Sequence, residues 1–208
     1  PFNRIYEKNF NKLFFLNKDS GYVLGDSSRI FRTVNGGNNW QNFQIDPNKI
    51  IRSIHFPTYN TGYAVGLTGA VLKTINSGMN WQDIGFNYTQ NINDVCFVNE
   101  NTGYLTGFYS EIIRTTNGGI NWLTIPTGFT FSMIGIYFLN KDTGFVVGTG
   151  NTILRTSNSG MNWLKVNSIN GFSNFSSVCF VNNETGFVAG SDGNIYKSTN
   201  SGYNWTQQ

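Results

Sequence analysis

The sequence predicts an all-β fold, a β-propeller of five four-stranded blades. Three observations predict it. Five tryptophans, Trp40, Trp81, Trp122, Trp163 and Trp205, recur at intervals of 41, 41, 41 and 42 residues. Each closes the same phrase, from Thr33-Val-Asn-Gly-Gly-Asn-Asn-Trp40 to Ser198-Thr-Asn-Ser-Gly-Tyr-Asn-Trp205. Between these phrases lie short β-rich runs cut by Gly, Asn and Ser, with no helical period. Tandem units of this length with four strands each are the signature of propeller blades.

The second repeat shows how each element is assigned. Ile51 to Phe56 is an apolar-rich first strand, and 57–61 is a turn. Gly62-Tyr-Ala-Val-Gly66 is a second strand bracketed by glycines, and Ala70 to Thr74 is a third. Asn76 to Gly78 turns the chain into a fourth strand, Trp81 to Phe86. The repeats run over 10–50, 51–91, 92–132, 133–174 and 175–208, with 1–9 expected to add to the last blade's outer strand. Runs such as Phe145-Val-Val fail to alternate because a blade buries both faces. Joined end to end, the termini keep the phase of the repeat. A closed five-blade ring is expected, and five repeats of a larger propeller is its alternative.

Composition agrees and narrows the function classes. Charged residues are 12% of 208, against about 25% in an average globular chain. Aromatics reach 16%, which argues against disorder. The net charge of +3 is spread without a Lys/Arg run, so neither nucleic acid nor a membrane surface is an expected partner. No stretch approaches the roughly 18 apolar residues of a membrane helix. The sequence opens at Pro1 without a signal-peptide pattern, as expected of a mature form or part of something longer, with export or the cell surface as the setting. Cys96 and Cys179 occupy equivalent repeat positions, far apart in a ring, and are expected to be buried free thiols.

The repeated turn has a physical role. Asn35, Asn76, Asn117, Asn158 and Asn200 each follow a Ser or Thr by two residues, so a side-chain oxygen can accept backbone N–H groups within the turn. Gly37, Gly78, Gly119, Gly160 and Gly202 can take positive φ. The tryptophan then packs back across the blade. Uncharged Asn disfavours calcium here, and no metal or cofactor is expected.

The phrase [Ser/Thr]-x-Asn-x-Gly-x-x-Trp resembles the Asp-box, or BNR repeat, with Asn where Asp is usual. The whole repeat, Gly-Tyr/Phe-x-x-Gly followed by Ile/Leu-x-Arg/Lys-Thr and the box, resembles the Ycf48-like photosystem II assembly factors over essentially the full chain. The residue before each box is basic: Arg32, Lys73, Arg114, Arg155 and Lys197. Symmetry makes these a ring of positive charge, suited either to packing on a neighbouring blade or to an acidic partner. In the family such positions are associated with docking a membrane-protein partner. The resemblance implies a protein-docking role, without that partner's identity.

The turns between first and second strands are near-copies, and with the boxes they are expected on one face. The other face carries divergent loops, with Tyr88, Phe108, Tyr109, Phe129, Phe131 and Phe172. Aromatics beside Asn and Ser suit sugars or peptides, or else plug a central channel. A glycan is therefore the second candidate partner, after a protein, and a lectin-like propeller the second reading.

Enzyme readings are weak. Sialidases carry Asp-boxes, and that resemblance implies an arginine cluster, but Arg32, Arg114 and Arg155 are dispersed by the repeat. Glycosidases need two convergent carboxylates. Asp26 with Asp192 is the one pair retained, from neighbouring repeats of a closed ring. A fragment of an Asp-box glycoside hydrolase is thus the third reading. The single His55 lies on a first strand with no Cys/His cluster and is expected to be a packed or surface residue. The leading expectation is a non-enzymatic propeller scaffolding protein contact.

Overall fold

The computed structural model describes residues 9–26, 28–166, 173–191 and 193–208. They form five four-stranded antiparallel sheets, each made of strands consecutive in sequence. Blade 1 holds β1 (Phe10–Phe15), β2 (Gly21–Gly25), β3 (Arg29–Thr33) and β4 (Gln41–Gln44); blade 2 holds β5 (Ile51–His55), β6 (Gly62–Gly66), β7 (Val71–Thr74) and β8 (Gln82–Asp83). Blade 3 comprises β9 (Ile92–Phe97), β10 (Gly103–Gly107), β11 (Glu111–Thr115) and β12 (Leu123–Pro126). Blade 4 follows with β13 (Met133–Phe138), β14 (Gly144–Gly148), β15 (Thr152–Thr156) and β16 (Leu164–Lys165). Blade 5 ends the order with β17 (Phe175–Phe180), β18 (Gly186–Gly190), β19 (Ile195–Ser198) and β20 (Thr206–Gln207). The helical content of the described residues is two 3-10 turns, Leu67–Gly69 and Phe108–Ser110. None is long or apolar enough to cross a membrane.

The fourth strand is shorter than the sequence predicts in the second blade. It ends at Asp83, whose Oδ1 accepts the Gly85 N–H at 2.8 Å and turns the chain out of the sheet.

The bracketing glycines are demanded by packing. A Cβ on Gly62 would lie 2.3 Å from the Phe56 ring, and one on Gly66 would lie 1.9 Å from the Ile50 carbonyl oxygen. The same two contacts recur in blades 3, 4 and 5. The second contact sits at a bulge where the first strand starts, between Ile51 and Ser53 in blade 2.

First strands line the centre and blades stack face to face. Buried clusters join blade 1 to 2 (Tyr22, Leu24 and Ile30 with Ile54 and Phe56) and blade 2 to 3 (Tyr63 and Val71 with Val95 and Phe97). Others join blade 3 to 4 (Tyr104 and Ile112 with Ile136 and Val146) and blade 4 to 5 (Phe145 and Ile153 with Val178 and Phe180). Both cysteines are free, but only Cys96 is buried. Cys179 is exposed, contrary to expectation: its counterpart Cys96 packs in the cluster between blades 3 and 4, whereas no buried cluster of the described residues holds Cys179.

Candidate functional site

The box turns are hydrogen-bonded alike in every blade. In blade 2, Thr74 Oγ1 accepts the Gly78 N–H at 3.0 Å, and Asn76 Oδ1 accepts the Asn80 N–H at 2.9 Å. Asn35, Asn117, Asn158 and Asn200 each accept the N–H four residues on at 2.9 to 3.0 Å. Gly78 holds φ at 84°, a left-handed value that a Cβ would strain. Trp40, Trp81, Trp122, Trp163 and Trp205 pack edge-on against the Phe at the end of their own first strand (Phe15, Phe97, Phe138 and Phe180) or, in blade 2, just past it (Phe56), with ring centroids 5.8 to 6.4 Å apart. Three of them, Trp81, Trp163 and Trp205, donate Nε1–H to the box glycine carbonyl. The next N–H inward is bonded to the turn between first and second strands, as Ser77 N–H to Asn60 O at 2.9 Å, so both turn sets share one face.

This face carries the basic row, and Arg32, Lys73, Arg114 and Arg155 each reach toward the following blade. Each lies directly across the sheet from an aromatic: Tyr22 opposite Arg32, Tyr63 opposite Lys73, Tyr104 opposite Arg114, Phe145 opposite Arg155 and Phe187 opposite Lys197. Arg32 donates to the Tyr59 hydroxyl and sits over that ring at 4.9 Å. Lys73 Nζ donates to Gly118 O at 2.9 Å. Arg114 Nη1 approaches Met161 Sδ at 3.5 Å, and Arg155 Nε donates to Ser201 O at 3.2 Å. Arg155 also stacks on Tyr203 of blade 5 at 4.1 Å. Lys197, on the last blade, lies over its own Phe187 at 5.9 Å.

The facing tyrosines use the same carbonyl row. The hydroxyls of Tyr22, Tyr63 and Tyr104 donate to Ser77, Gly118 and Ser159 of the next box at 3.5, 3.0 and 2.8 Å. Burial raises the pKa of Tyr22 and Tyr63 to about 12, so they remain donors. Blade 4 has Phe145 at this position, and Arg155 takes the Ser201 carbonyl instead.

Two grooves open beside this row. One of about 690 Å³ runs past Arg155, Met161, Leu164, Lys165 and Tyr203; its counterpart on blade 3, about 310 Å³, includes Arg114, Asn121 and Leu123. Neither has an acidic residue in its lining. Lys165 adds a second cation, 5.0 Å from the Phe131 ring centroid.

The described divergent-loop aromatics do not gather in either groove or in the central cavity. Tyr88 stacks on Phe86 at 5.5 Å, and Phe129 packs on the cluster between blades 3 and 4. Phe131 lies beneath Lys165. Phe108 and Tyr109 are exposed on a 3-10 turn, Tyr109 with φ at 68°. Phe172 and Asp192 lie outside the described residues. Asp26 accepts Asn9 Nδ2–H at 3.3 Å.

A central cavity of about 440 Å³ holds a polar cluster that the sequence reading passed over. Lys12, Ser53, Asp94 and Gly135 are the same repeat position in blades 1 to 4. Asp94 Oδ1 accepts from Lys12 Nζ at 2.8 Å and Ser53 Oγ at 2.5 Å, while Oδ2 accepts the Ile136 N–H at 3.1 Å. Aligning that column of the repeats, where Lys, Ser and Asp replace one another, is the signal that finds it. His55 lines the same cavity; its Nδ1 accepts the Phe97 N–H at 3.3 Å, and burial lowers its pKa to about 4. It is neutral at pH 7 and packed by Phe14, 4.9 Å away between centroids.

Comparison with known proteins places this geometry. No curated protein sequence matches the chain. Among solved structures, YCF48 bound to D1 peptide is similar at 19% identity and TM-score 0.71, over 96% of this chain and 66% of that one. YCF48 from Cyanidioschyzon merolae follows at 15% identity and TM-score 0.76, over 94% of this chain and 70% of that one. The chain thus spans about two thirds of the length of these structures. An ancestral GH74 enzyme shares the fold at 14% identity and TM-score 0.79, over all of this chain and 32% of its own length. The family model described as photosynthesis system II assembly factor YCF48 matches residues 4–89 and 74–208, and the chain belongs to that family.

Proposed function

We propose that the chain is a non-enzymatic, protein-binding propeller that takes an acidic, extended segment of a partner along its basic row. The observation that carries this is the pair of repeat-related grooves over blades 3 and 4. Each has an arginine at its wall, an apolar lip and no carboxylate to satisfy the cation. Arg155 is held between the rings of Phe145 and Tyr203, with Nε tied to Ser201. A guanidinium so fixed loses little further freedom on binding, and its Nη edge suits a carboxylate. That a member of the same family is bound to a D1 peptide supports a peptide as the ligand class.

The test is fluorescence anisotropy with a labelled Asp/Glu-rich peptide. Binding is expected to weaken about tenfold or more in Arg114→Ala with Arg155→Ala, and to fall steeply with salt. Unchanged binding by the double variant, or no binding at low salt, overturns the proposal. A glycan-binding reading rests on exposed Phe108 and Tyr109. Retained glycan capture by the arginine double variant, lost on Tyr109→Ala, would favour it.

A further inference from the structure

The central cavity, about 440 Å³, falls within the roughly 300–1,000 Å³ usual for small-molecule sites. It shares no lining residue with either groove. Asn140 and Lys141, from the first-to-second turn of blade 4, also line it, so it reaches the face that carries the boxes. The repeat explains the room. The column that holds Lys12, Ser53 and Asp94 continues as Gly135 and Ser177, so blades 4 and 5 add little side chain there. A Cβ on Gly135 would lie 3.0 Å from the Ser176 carbonyl oxygen, so the close approach of blades 4 and 5 keeps this position small.

The polar groups of the lining are uneven in kind. Asp94 is its one carboxylate, and Lys12, Ser53 and the Ile136 N–H already donate to it. Lys12 Nζ gives Asp94 one N–H and has two more, for which no other acceptor stands among the described residues. His55 Nδ1 accepts the Phe97 N–H, so the neutral ring carries its proton on Nε2, and no described residue accepts it. The Ser177 hydroxyl is exposed and also lacks a partner among the described residues. The tie at Asp94 uses none of these donors. The lining also holds two cations, Lys12 and Lys141, against that single carboxylate. An acceptor with one negative charge completes both the hydrogen bonds and the charge balance. Phe14, Phe97 and Phe138 supply the apolar part of the wall.

We propose that the central cavity is a binding site for a small organic acid. Lys12 Nζ and the His55 Nε2–H hold its carboxylate, Ser177 is a third donor, and the apolar body lies against the phenylalanines. Few converging polar groups on an apolar wall is the usual make-up of a small-molecule site. This site is separate from the peptide grooves and does not depend on them.

Isothermal titration calorimetry of the 208-residue chain tests it with three probes of one body: phenylacetate, phenylacetamide and phenethylamine. Phenylacetate is expected to bind saturably, one to one, and at least about tenfold more tightly than the amide or the amine. Lys12→Met should erase the preference for the acid over the amide. Ser177→Phe, which fills the cavity from an exposed position, should weaken phenylacetate about tenfold while the melting temperature barely changes. Arg114→Ala with Arg155→Ala should leave phenylacetate binding unchanged, which separates this site from the grooves. No saturable binding of phenylacetate, equal affinity for acid and amide, or a preference that survives Lys12→Met overturns the proposal. Loss of binding in the arginine double variant does so too, because it moves the acid to the grooves. If Lys12→Met fails to fold, Ser177→Phe decides: undiminished phenylacetate binding there overturns the site.

Discussion

Lys12 Nζ lies 2.8 Å from Asp94 Oδ1, although one residue belongs to the first blade and the other to the third. With Ser53 from blade 2 and the Ile136 N–H from blade 4, the carboxylate ties four blades at the axis. Asp94→Ala is expected to cost about 3 kcal/mol, because it strands a cation and two donors together. Lys12→Ala should cost less, since Lys12 is partly solvated and Asp94 keeps its other two donors. Urea unfolding of the two variants would show this order; equal or reversed losses would refute the central tie.

His55 makes stability depend on pH. Its folded pKa of about 4 lies below the ordinary 6.5, so the unfolded state binds the proton more readily. The fold should keep its full stability above pH 6.5 and lose up to about 3 kcal/mol as pH falls toward 4. His55→Phe should flatten that limb when denaturant midpoints are followed against pH. A variant with the wild-type slope between pH 6.5 and 4 would assign the loss to other groups.

The box turn predicts a graded series at one site. Asn76→Asp keeps an oxygen for the Asn80 N–H and should be nearly neutral. Asn76→Ala removes that acceptor and should cost about 1 kcal/mol. Gly78→Ala has room for its Cβ, with neighbours at 3.6 Å or more, yet must hold φ near 84°. It should cost about 1 kcal/mol or more from strain alone. Thermal melts of the three variants check the order.

Junctions between blades should respond to a single hydroxyl. Tyr104→Phe removes the bond to Ser159 O and should cost about 1 kcal/mol, with the ring stack on Phe138 retained. Arg155→Ala removes the corresponding bond to Ser201 O and should show a loss of similar size. Chemical denaturation of each would test whether the arginine replaces the missing hydroxyl of Phe145; a stability-neutral Arg155→Ala would sink that reading.

The sequence by itself determined the repeat, and with it the blade number, the strand order and the box turns. Those features rest on local chemistry: a Ser/Thr and an Asn two apart, a glycine free to take positive φ, and short β-rich runs between turns. The tryptophan spacing of 41 shows that the same local solution is used five times. Only the tertiary structure decided what lies between blades. Lys12, Ser53 and Asp94 are each a polar residue in an apolar strand until stacking brings one column of the repeat to the axis. The row of basic residues was legible, but its tether to the next blade's carbonyls was not, because that bond spans about one whole repeat. The exposure of Leu13 was equally hidden. Leu13 and Ile54 occupy the same place in the repeat, and only the presence of a neighbouring blade makes one exposed and the other core.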